Sequence, residues 1–205
     1  MKSLKVTAAA LCLSLASAGA SAALISTDLN NAADGLLTLD TDTGLEWLDL
    51  TETFNMSIGQ VQPLLNSGAS LSSFRLAEVS EVHTLMSNAG LPVSTTTGTI
   101  SSAAADLGAA NALTALLGET VGAHYGSRYN GVRGHLLDNG VDRVVGAYTI
   151  SGTRLFNDFF AGRPTWPGAG VWLVRSANEV SEPGTMAAFA LGLFGLGFAR
   201  RRKAG

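Results

Sequence analysis

The stretch Gly35-Leu36-Leu37-Thr38-Leu39-Asp40-Thr41-Asp42-Thr43-Gly44-Leu45-Glu46-Trp47-Leu48-Asp49-Leu50 decides the fold class. Two short apolar runs flank a turn, Asp40 to Gly44, built from the residue types that favour chain reversal. Alternation in the second run puts Leu45 and Trp47 on one face and Glu46, Leu48 and Leu50 on the other, which is the period of a strand. The body therefore opens with a hairpin. Beyond it, Ile58 to Leu65 and Arg75 to Asn88 carry helical spacing. In the second of these, Leu76, Val79, Val82 or His83, and Met86 form an apolar stripe that Gly90 ends.

Further along, Leu91 to Ala105 is rich in Thr, Ser and Ala and is expected to be a mobile loop. Asn111 to Leu117 predicts a short helix. Val132 to Leu137 and Val141 to Ile150 flank Asp138-Asn139-Gly140, and Asn-Gly between alternating runs is the strongest short hairpin signal, because both central turn positions need positive φ. A Gly/Pro-rich loop from Ala161 to Gly170 holds Trp166 and leads into a strand, Val171-Trp172-Leu173-Val174-Arg175. Strands at both ends with two to three short helices between them predict a single α+β domain closed by pairing of its terminal strands.

The whole chain of 205 residues is 46% hydrophobic and 14% charged, with a mean hydropathy of +0.26 and a formal net charge of -3. That balance excludes a basic-patch nucleic-acid binder, a disulfide scaffold and a charge-rich disordered chain. Much of the apolar excess lies at the two ends. Residues 1–22 combine Lys2 and Lys5, an apolar run from Val6 to Ala16 and a small-residue site, Ala20-Ser21-Ala22 before Ala23. This is the form of a secretory signal peptide cut between Ala22 and Ala23, so signal peptidase and the secretion machinery are expected partners. Cys12 lies inside the apolar run, and cleavage leaves no cysteine; disulfides, Cys-ligated zinc and a Cys nucleophile are excluded together. Two of the 13 Lys and Arg lie in this leader and four in the last residues, whereas all 16 acids fall between Ala23 and Ala199. That span carries -9 and no lysine.

The domain plan is thus a leader at 1–22, an exported α+β body at 23–178 and a sorting segment at 179–205. In the last segment Ser181-Glu182-Pro183-Gly184-Thr185 precedes an apolar helix over 186–199 and a basic tip over 200–203, with Arg200, Arg201 and Arg202. As a helix the apolar stretch is ~21 Å long at about 1.5 Å per residue, a marginal transmembrane span against a hydrocarbon core of roughly 30 Å. The cationic tip would stay cytoplasmic.

These residues carry a resemblance. Glu182-Pro183, a spacer with Thr185, a Gly-interrupted apolar helix and a terminal Arg cluster are similar to the PEP-CTERM sorting signal of Gram-negative bacteria, although Ser181 stands where that motif usually has Pro. The resemblance implies an exosortase-like processing enzyme, membrane-embedded and cysteine-dependent, recognition near Glu182 and Pro183, and transient membrane anchoring before release to the cell surface or an exopolysaccharide matrix. A second resemblance covers the body as spaced blocks: Thr43-Gly44-Leu45-Glu46-Trp47-Leu48-Asp49, Phe74-Arg75-Leu76 leading into a helix, and Val171-Trp172-Leu173-Val174-Arg175. They resemble exported domains of the DUF1566 type, which implies a C-type-lectin-like fold. The catalytic cysteines of the oxidase branch of that fold are missing, and Ala77 replaces a frequent Pro.

No catalytic residue is expected. Tyr125, Tyr129, Tyr148, Trp166 and Arg163 form a candidate ligand face, since aromatics and Arg dominate recognition surfaces and can stack on sugar rings. Asp40 and Asp42 are a weak calcium candidate, because the EF-hand spacing would need Gly one place later and a Glu where Thr51 stands. His83 is expected to pack on its helix, and His124 and His135 lack a convergent third ligand. The main alternative is an extracytoplasmic glycan hydrolase using carboxylates such as Asp49 or Glu52; a carbohydrate-binding module is the other.

Overall fold

A computed structural model describes residues 23–93, 98–102, 107–151, 154–161 and 166–177. The leader at 1–22, the sorting segment and Arg163 lie outside the described residues. The body is mixed α+β, with antiparallel sheets and short helices. Its strands are β1 (Leu24–Thr27), β2 (Leu37–Asp40), β3 (Leu45–Leu48), β4 (Arg75–Leu76), β5 (Gly98–Ser102), β6 (Tyr129–Asp138), β7 (Val141–Ile150), β8 (Arg154–Ala161), β9 (Gly170–Val171) and β10 (Leu173–Ser176). The α-helices are α1 (Ile58–Val61), α2 (Val79–Asn88), α3 (Leu107–Leu117) and α4 (Val121–Tyr125), with 3-10 turns at Leu50–Thr53 and Gln62–Leu65.

One sheet has the order β1-β2-β3-β10-β4 and the other β5-β8-β7-β6-β9. All described pairings are antiparallel except β6 with β9. In the first sheet Val174 stands opposite Trp47 and Arg175 opposite Glu46, where the guanidinium Nε meets Glu46 Oε2 at 2.7 Å. Adjacent faces separate two cores. Trp47 and Val174 enter a cluster with Val82, Leu85, Leu113, Leu136 and Trp172, whereas Leu37, Leu48 and Leu173 pack with Ile58, Val61 and Phe74 on the other side.

Leu45 and Trp47 share a face as their alternation predicts, but Leu50 joins Trp47 rather than Leu48. The strand ends at Leu48, and the 3-10 turn that follows rotates Leu50 inward. The hairpin at 138–141 forms as expected, with Asn139 at φ 51° and Gly140 at φ 78°. The predicted final strand is two strands. Val171 completes β9 in one sheet and Leu173 begins β10 in the other, with Trp172 between them. Its ring meets Trp47 edge to face at 5.9 Å and its Nε1 donates to the Val145 carbonyl at 3.0 Å, so one residue joins both sheets.

Two further expectations are corrected. The helical reading of Arg75 to Asn88 starts too early, because Arg75 and Leu76 pair with β10, and helix α2 begins only after the reciprocal capping of Glu78 and Glu81. The loop expected over Leu91 to Ala105 contains β5, which pairs along β8.

Candidate functional site

Helix α4 ends at Gly126, whose φ of 97° lets the chain reverse before Tyr129 opens β6. Tyr125, at the end of that helix, is 43% exposed and lies 5.7 Å from the Tyr129 ring, which in turn lies 6.3 Å from Tyr148 on β7. Gly131 stands opposite Tyr148, and a Cβ there would collide with it, so the glycine leaves the tyrosine room to lie across the strands. The sequence-predicted aromatic residues are therefore brought together.

At their centre is Arg133, a residue that sequence reasoning left out of the site. It is only 5% exposed. Its guanidinium carbon lies 4.9 Å from the Tyr148 ring centre and 5.8 Å from those of Tyr125 and Trp166. A guanidinium is weakly hydrated for a cation and stacks well on ring faces, so a buried Arg among three aromatics gains cation–π attraction where an ammonium would lose more hydration. Gly146 opposite Arg133 makes room in the same way as Gly131. Exposed Arg128 lies over the middle ring of the series, 5.3 Å from the centre of Tyr129.

Trp166 is fixed by a side chain deeper in the sheet. The main-chain N–H of Trp166 donates to His135 Nε2 at 3.1 Å, which leaves the ring proton on Nδ1, 2.9 Å from Asp142 Oδ1. The following loop is clamped by Gly168 N–H on Asn55 Oδ1 at 2.9 Å and Val171 N–H on Thr53 Oγ1 at 2.8 Å. His135 is thus a positioning residue. The signal for this layer was a His and an Arg on the same face of an apolar strand, Val132 to Leu137.

The remaining candidates separate. Asp40 is fully buried, with both carboxylate oxygens accepting from Asn88 Nδ2 at 3.2 and 2.9 Å, while Asp42 is exposed on the turn. Among the described residues no group of three His, Cys, Asp or Glu is arranged to hold a metal ion. Asp49 caps the 3-10 turn, accepting from the N–H and hydroxyl of Thr51 at 2.8 and 2.6 Å. His83 lines a cleft of ≈ 450 Å³ with Glu78, Ser80 and Asp138, and burial lowers its pKa. His124 is exposed, edge-on to Tyr125.

A PEP-CTERM protein-sorting motif matches residues 179–203. Neither a search of curated proteins nor one of solved structures found a match to the chain.

Proposed function

We propose, from the premise that this chain carries a PEP-CTERM sorting motif and is sorted toward the cell surface by an exosortase-like enzyme, that it is a non-enzymatic surface or exopolysaccharide-matrix protein of a Gram-negative bacterium. The leader at 1–22 would deliver it, the helix over 186–199 would hold it transiently with Arg200 to Arg202 inside, and removal near Glu182 and Pro183 would free the body. The match over residues 179–203 is the observation that carries this reading. Replacing Glu182 and Pro183 together by Ala is expected to shift the protein from the released fraction to the inner membrane. Unchanged release of that variant would contradict the reading.

The body is proposed to be C-type-lectin-like, supported by the antiparallel pairing of its last strand with β3 of the opening hairpin and by the separate sheet built around β6 and β7. Binding of polysaccharide at the aromatic face is the second reading. It is favoured by Tyr125 and Arg128, which present an exposed ring and an exposed cation on a base fixed by Arg133 and His135. The hydrolase alternative has less support, because Asp49 is already engaged as a cap.

A further inference from the structure

Both ends of the described body meet at one turn. The N–H of Ala23 donates to Thr41 Oγ1 at 3.0 Å, and the N–H of Thr41 donates to the Ala23 carbonyl at 3.1 Å. At the other end of the chain the N–H of Ala177 donates to the Gly44 carbonyl at 2.9 Å. Strand β10 lies between β3 and β4, so Ala177 follows directly from an inner strand of the sheet. From Ala177 to Glu182 the chain can reach at most ~18 Å, at about 3.6 Å per residue. A compact body of about 155 residues has a radius of gyration of roughly 15 Å, hence a width greater than that reach.

An enzyme that acts near Glu182 and Pro183 therefore meets the end of the body from which the chain leaves. We propose that the β2–β3 turn, with Thr41, Asp42 and Thr43 exposed beside Ala23, is the surface that rests against the membrane-embedded processing enzyme. This rests on the sorting reading above. The partner is a protein rather than the bilayer, because the exposed part of the turn bears Asp42 and neither Lys nor Arg, and an acidic turn gains nothing from anionic headgroups. The aromatic face lies elsewhere. Strand β3 leads away from the turn, and the Thr53 and Asn55 that clamp the Trp166 loop follow it.

The test places a photo-crosslinking residue at Asp42, Thr43 or, for comparison, Tyr125 in the full chain. Each is expressed with a processing enzyme whose nucleophilic cysteine is replaced, which holds the uncut complex. Adducts to the enzyme from positions 42 and 43, at least ten-fold above those from 125, are expected. Equal adducts from all three positions, or adducts to lipid alone, would overturn the proposal. The C-terminal mass of the wild-type chain in cells with active enzyme separates the two readings. A shortened chain without turn adducts removes only this inference, whereas an unshortened chain removes the sorting reading with it.

Discussion

Asp34 illustrates how much local order one side chain can impose. Its carboxylate accepts main-chain N–H groups from Asn31 at 2.8 Å, Asn30 at 2.9 Å, Leu29 at 2.9 Å and Leu36 at 3.2 Å, closing the turn that leads into β2. Hydrogen bonds from Asn31, Asn30 and Leu29 hold its pKa far below the ordinary carboxylate range. The folded pKa lies below the unfolded one, so the unfolded chain binds more protons in acid. The stabilisation is complete above the ordinary Asp range and is lost as pH falls below it. Asp34→Asn is therefore expected to lower Tm at pH 7, with the gap to wild type closing in acid; a gap independent of pH in thermal melts would contradict this. His83 acts with the same sign, since burial lowers its pKa and its protonation on acidification opposes folding. The role of Asp34 was not legible in the sequence, where it is one acid among 16, whereas the packing of His83 on its helix was.

At the scale of elements, the hairpins were legible and the weak strands were not. Asn139-Gly140 specifies its own turn, and β7 spans Val141–Ile150 as its alternation predicts. By contrast, β5 is Gly-Thr-Ile-Ser-Ser, a composition without strand periodicity, and it exists as a strand because β8 supplies a ladder of five residue pairs. Arg75 and Leu76 carry helical spacing yet form a strand for the same reason: pairing with β10 outweighs local spacing. The aromatic face was half legible. Tyrosines are visible in a sequence, but the register that sets Arg133 across from Gly146, with Tyr148 two places along the same strand, is not. If this hairpin presents a saccharide face, Tyr125→Ala should reduce retention on the organism's own polysaccharide by about 1–3 kcal/mol of binding free energy, a typical cost for an interfacial aromatic, while leaving Tm nearly unchanged. Unaltered retention would sink the stacking reading.

At the scale of the whole molecule, three segments of different physics share one chain. The opening hairpin and the last strand form one sheet, Trp172 connects it to the second, and both ends of the described body return to the Asp40–Gly44 turn. The sorting motif follows within two residues of Ala177, so folding and sorting meet at that turn. The motif was legible because its three parts are contiguous, whereas the ligand of the body depends on long-range register. The central claim, that the C-terminal segment is a processing signal, is tested most directly by the intact mass of the mature protein from cells with and without the processing enzyme. The account predicts a C-terminus near Glu182 and Pro183 when the enzyme is present and the full basic tip when it is absent. An identical C-terminus in both would contradict it.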